Sequence, residues 1–212
     1  AIQAILDWAD SSEKLAQLGD PIQNNVNGWN GFNFFTRITE TDHSEAMQAI
    51  LDWTNTPEKL ALLTTPIQSN DKGWNGFNCF TRIADTGNPD AIQHVLDWAN
   101  TPEKLPLLTA PIQNNDRGLN GHNFFTRIAA NGDEDAIKHT LDWVKYSLDK
   151  GLNLNVLFSP INANQFTFFH IIAKKGSTEN CINMAPIVLN PLHRSPVDPG
   201  QPFLDYFKKK LK

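Results

Sequence analysis

Apolar positions along this chain fall at helical spacing, in a pattern that recurs. Ala91, Ile92, Val95 and Leu96 occupy positions i, i+1, i+4 and i+5, which lie on one face of a helix. Upstream, Phe80, Ile83 and Ala84 follow a helical step from Asn78. Gly87 separates the two runs, and glycine commonly follows a helix C-terminus because it accepts φ > 0. Asn88 then supplies an N-cap, Pro89 suits the first turn, and Asp90 complements the positive end of the helix dipole. The stretch from Gly76 to Asn100 therefore reads as two antiparallel helices. A third, shorter apolar segment starts at Thr101-Pro102-Glu103 and carries Leu105, Leu107 and Leu108. Pro111 and the stretch from Asn114 to Gly118 return the chain through a loop.

The same order repeats. AIQAILDW, AMQAILDW, AIQHVLDW and AIKHTLDW start at 1, 46, 91 and 136, a constant step of 45 residues. WNGFNFFTRI, WNGFNCFTRI and LNGHNFFTRI start at 29, 74 and 119 with the same step. A fixed period of this size marks a stacked array, in which each unit buries its apolar face only against its neighbours. Such arrays present long surfaces that usually bind macromolecules. The last junction differs: Trp143 to Asn155 reads as a longer second helix ending in a glycine loop.

Composition narrows the picture. The chain has 212 residues, 40% hydrophobic and 10% aromatic, enough to build a folded core. Its net charge of −5 argues against broad nucleic-acid binding, which needs a basic footprint. No apolar run approaches the roughly 18 residues of a membrane span, and no signal peptide opens the chain. It begins at Ala1, inside a repeat phrase and without Met, which predicts further protein upstream. Cys79 and Cys181 make no disulfide framework, fitting a reducing, cytoplasmic compartment. Cys79 stands where sister repeats have Phe34 and Phe124, so it reads as a small core residue.

From Gly76 to Leu96 the unit reads G-F-N-C-F-T-R-I-A-D-T-G-N-P-D-A-I-Q-H-V-L. This resembles the ankyrin repeat phrase G-x-T-P-L-H-x-A-A-x-x-G-H-x-E-I-V-x-x-L-L without a gap. Thr167, Phe168, Phe169 and His170, followed by Ala173 and Gly176, restore the Thr and His of that phrase. Elsewhere Asn33, Asn78 and Asn123 replace its Thr, and Thr36, Thr81 and Thr126 replace its His. The unit is also longer than the family's roughly 33 residues, by the Thr-Pro-Glu-Lys-Leu insertion. Long-loop repeats of this kind are similar to those of effector proteins from intracellular bacteria.

The resemblance implies an all-α fold: an ankyrin-like solenoid of stacked helix pairs with inserted short helices and a C-terminal capping helix. Residues 1–190 form the repeat array. Residues 191–212 form a Pro-rich loop and the cap, in which Phe203, Leu204, Phe207 and Leu211 make an apolar stripe beside four lysines. Membrane or partner docking is the alternative reading of that basic stripe.

The resemblance also implies which positions face a partner. Those flanking the first glycine are Trp29, Phe32, Trp74, Phe77, Leu119, His122 and Phe166, and aromatic residues are common anchors of binding hot spots. Burial beneath the inserted segment is their alternative. Arg37, Arg82 and Arg127 form a ladder on the adjoining first-helix surface, either structural or contacting an acidic partner. Asp7, Asp52, Asp97 and Asp142 recur near the end of the second helix, as loop caps or inter-repeat pairs. His170 reads as a structural hydrogen-bonding group. His94, His122 and His139 lack metal-ligand spacing with an acid or Cys. With no nucleophile elbow or phosphate loop, neither catalysis nor a cofactor is expected.

The expectation is a protein–protein interaction module that binds a partner protein through the concave face. It belongs to a secreted bacterial effector acting in host–pathogen interaction, in the cytoplasm or the host cytoplasm after secretion. The alternative is a targeting module for an enzyme whose catalytic domain lies outside this chain.

Overall fold

The computed structural model describes residues 2–40, 44–154, 157, 167–175 and 177–188. Among them are twelve helices and no strand, so the chain is all-α. The helices are α1 (Ile2–Trp8), α2 (Ser12–Gly19), α3 (Phe34–Ile38), α4 (Ser44–Trp53), α5 (Pro57–Thr64) and α6 (Cys79–Thr86). They continue with α7 (Pro89–Trp98), α8 (Leu105–Leu108), α9 (Phe124–Asn131), α10 (Glu134–Asp149), α11 (Phe168–Lys175) and α12 (Thr178–Val188).

Equivalent helices touch from unit to unit. The first helices α3, α6, α9 and α11 form one row, and the second helices α1, α4, α7, α10 and α12 form another. Helices α2 and α5, from the inserted segment, pack on each other and on the following first helices α3 and α6. One apolar core runs through these rows. In each full unit it contains a Phe of the first helix and an Ile or Val and a Leu of the second, as with Phe80, Val95 and Leu96, all inaccessible to water.

Local chemistry explains the helix ends. Asn33, Asn78 and Asn123 each begin a first helix through a reciprocal capping box. The Asn78 side chain accepts from the Thr81 N–H at 2.9 Å, while the Asn78 N–H donates to the Thr81 hydroxyl at 2.8 Å. Two otherwise orphaned donors are satisfied at once. Thr167 and His170 take the equivalent places in the last unit, with 2.8 Å between the hydroxyl and Nδ1. Asn88 caps α7 by accepting from Ala91 N–H, and Gly87 closes α6 at φ 73°. The long helix α10 ends before Gly151 at φ 78°, as its sequence predicts.

The third copy of the inserted helix departs from the expected start. Ser11 and Thr56 cap α2 and α5, but α8 is a four-residue turn beginning at Leu105, without a side-chain cap. The cause is Pro106, which replaces Ala61 of the previous unit. Proline has no N–H and fits only a first turn, so the helix starts beside it. The predicted cap at 203–212 lies outside the described residues.

Candidate functional site

Each inserted segment leads into a loop folded back on itself. Ile67 N–H donates to Phe77 O at 2.7 Å and Gly76 N–H to Ile67 O at 2.8 Å. The same two bonds link Ile22, Gly31 and Phe32, and again Ile112, Gly121 and His122. Asn24, Ser69 and Asn114 take equivalent left-handed positions, each with φ 55°. The recurring geometry brings successive loops close together. A Cβ on Gly31 would land on the Gln68 carbonyl, and one on Gly76 on the Gln113 carbonyl. Glycine is therefore demanded twice at these positions, by sterics and by φ near 80°.

A buried asparagine stitches each loop to the one before it. Asn115 Nδ2 donates to Gly73 O at 3.0 Å and to Asn75 O at 2.7 Å. Its Oδ1 accepts from the Arg117 and Leu119 N–H groups of its own loop. Asn70 repeats the arrangement with Gly28 O and Asn30 O. These residues were missed as structural keys in the sequence reading. Their signal was present: Asn25, Asn70 and Asn115 recur at the repeat step. Asn115→Ala is expected to cost about 2 kcal/mol, because buried carbonyls and amides lose their partner. Urea unfolding checks this, and an unchanged midpoint would show that the loops hold without the stitch.

Two of the expected aromatic anchors, Phe32 and Phe77, face inward. Phe32 and Phe77 are both 0% exposed and cannot meet a partner directly. With Ile67 and Ile112 they form a second, smaller core under the loops, edged by Ile22, Trp29, Trp74 and Leu119. The physical reason is that the loops bring isoleucines needing cover, and these rings are the nearest apolar surface. Trp29 and Trp74 are half-buried, each packed edge-on against its Phe at 5.5 and 5.3 Å. Leu119 and His122 are half-buried in the third loop. Burial holds His122 below the usual histidine range, with Arg127 and Lys175 adding to the effect. Phe166 lies outside the described residues.

The arginines divide between locking and stacking. Arg82 is buried, with its guanidinium 3.8 Å from the centre of the Trp74 ring. It pairs with Glu40 in the preceding unit and with Asp85 at 2.9 Å in its own. Arg127 pairs with the same Asp85, one unit back from its own position. Glu40, Arg82, Asp85 and Arg127 thus form a chain of alternating charge across three units. Arg37 stacks on Trp29 at 4.0 Å. As a correction, Arg82 does not offer a free charge to an acidic partner. Its charge is already neutralised and its side chain covered.

The recurring aspartates do not join units. Gln3, Gln48 and Gln93 donate to Asp7, Asp52 and Asp97 from one turn earlier on the same exposed helix face. Cys79 is buried against α6's neighbours, and burial pushes its thiol up to about 12, which makes it inert near neutral pH.

The outer edge of the loops is open to solvent. Pro21, Pro66 and Pro111, Gln23, Gln68 and Gln113, and Asn24, Ser69 and Asn114 are all exposed. Between the second and third loops lies a groove of about 590 Å³, lined by Gln68, Ser69, Asn75, Gln113 and Asn114 among others. No described helix is long and apolar enough to cross a membrane. No known protein family, curated protein or solved structure matches the chain.

Proposed function

We propose that this chain is a protein-binding module of ankyrin-like solenoid type, and that it binds its partner protein along the outer edge of the three inserted loops. The observation that carries the reading is the recurrence of one exposed set, a Pro, a Gln and an Asn or Ser, on loops held in a common geometry. Side-chain amides both donate and accept, which suits them to a peptide backbone. The loops are fixed before any partner arrives, so binding costs little ordering entropy. The buried Phe32 and Phe77 act from below as supports. The net charge of −5 disfavours a nucleic-acid partner. The resemblance to long-loop effector repeats supports a role for a secreted bacterial effector in a host cytoplasm.

A photo-crosslinking side chain placed at Gln68 or Gln113 tests this. Both positions are expected to capture the same protein, and Lys138, exposed on α10, is expected to capture none. With that protein purified, replacing both glutamines by Ala should weaken binding about tenfold, a loss of about 1.4 kcal/mol. Equal crosslinking from all three sites, or unaltered affinity, would reject the loop edge as the binding surface.

A further inference from the structure

Asn27, Asn30, Asn75, Asn120 and Asn131 each precede a glycine. At such a pair no Cβ on the second residue hinders its nitrogen from attacking the asparagine side-chain amide. Four of these asparagines are held in place. Asn30, Asn75 and Asn120 each accept, through Oδ1, from the backbone N–H of Asn25, Asn70 and Asn115, at 2.6, 2.7 and 2.8 Å. Asn131 donates Nδ2 to Asp85 O at 2.7 Å. Their glycine nitrogens are committed too. Gly31, Gly76, Gly121 and Gly132 donate to backbone carbonyls at 2.9, 2.8, 2.9 and 3.2 Å.

Asn27 differs on each count. Its side chain is exposed and makes no hydrogen bond among the described residues. Gly28 N–H makes a longer bond, 3.3 Å to Asn25 O. A cation also sits at the peptide that joins the two residues: Lys72, from the next loop, donates Nζ to Asn27 O at 2.9 Å. We propose that Asn27 is a self-modification site, converting through a cyclic imide to aspartate and isoaspartate, and that Lys72 promotes the first step. Hydroxide removes the Gly28 N–H proton, and the negative charge spreads onto Asn27 O, where the Lys72 ammonium stabilises it. The Gly28 nitrogen then forms a bond to Asn27 Cγ. The Cγ–Nδ2 bond breaks, and Nδ2 leaves as ammonia with a proton from water, which restores the hydroxide. A further water opens the imide at Cγ to give aspartate, or at the backbone carbonyl to give isoaspartate. Isoaspartate lengthens the main chain by one carbon just ahead of Gly28, whose carbonyl accepts the Asn70 stitch at 3.0 Å. Modification therefore loosens the first loop from the second.

Peptide mapping by mass spectrometry, after the chain is aged at mildly alkaline pH, tests this. Fragmentation separates Asn27 from Asn30, and Asn27 is expected to convert before Asn30, Asn75, Asn120 and Asn131. Lys72→Met should slow the conversion about threefold, the effect of one exposed charge interaction. Lys72→Arg keeps the cation and should keep the rate. Asn131 serves as the internal reference, and its rate should not move in either variant. Earlier conversion at any of the other four asparagines, or an unchanged rate in Lys72→Met, would overturn the assignment. Hydrogen exchange provides a second arm. Residues 22–32 should exchange faster in the aged chain than in the fresh one, whereas aged Asn27→Gln should match its fresh form. Conversion with unchanged exchange would overturn the loosening. These readouts need no partner protein, so they stand apart from the outcome of the crosslinking.

Discussion

Phe80→Ala is expected to destabilise the chain by about 4 kcal/mol, since truncating a fully buried Phe to Ala removes its transfer energy and leaves a cavity. Phe80 is inaccessible to water and stacks on Trp98 with planes 28° apart. Its helix α6 touches α3 on one side and α9 on the other, so the cavity would open inside the stack. Closure there is difficult, because each neighbouring helix is held by contacts with further units. In a chain of this size, about 4 kcal/mol corresponds to a fall in Tm of roughly 8–16 °C. Thermal and urea unfolding would measure it. A loss below about 1 kcal/mol would mean that α6 does not lie at the centre of a continuous core. Arrays stabilised by neighbour contacts also predict that the transition broadens, because the units on either side lose part of their coupling.

The array was legible because its causes are local. The helical spacing of Ile92, Val95 and Leu96, the Asn88 cap and the Gly87 stop act within a few residues of each other, and the repeat step carries them forward. The one misplaced helix start, at α8, also had a local cause in Pro106. What sequence reasoning could not settle was the direction faced by Phe32 and Phe77. Their neighbours along the chain are compatible with either exposure or burial. The deciding contacts come from Ile67 and Ile112, each one loop further on. Arg82 presented the same difficulty. Its repeat position made a ladder visible, but the carboxylates that occupy it sit at Glu40 and Asp85, and Glu40 belongs to the preceding unit. The Asn70 and Asn115 stitches were hidden for another reason. Asn in a loop ordinarily suggests turn chemistry, whereas here its amide donates across to the preceding loop.

Arg82→Met should cost about 3 kcal/mol, somewhat less than the full expectation for breaking a buried pair. The substitution retains an apolar stem over Trp74 and removes the charge. Glu40 then loses its only described ion-pair partner, while Asp85 keeps Arg127. Glu40's side chain is 20% exposed, so water recovers part of the loss. Arg37→Met is the internal comparison, because Arg37 stacks on Trp29 with no described ion pair; it should cost under about 1 kcal/mol. A second change, Glu40→Gln, separates packing from charge. If the unpaired carboxylate causes the damage, the double variant will be more stable than the sum of the single losses implies, with a coupling of about 1 kcal/mol or more. Strict additivity, or equal losses from Arg82→Met and Arg37→Met, would show that the inter-unit ion pairs contribute nothing beyond covering the tryptophan. The coupling should also survive added salt, since Arg82 is shielded from solvent and screening acts chiefly on exposed charges. That persistence would identify the alternating charges as part of the stack's interior.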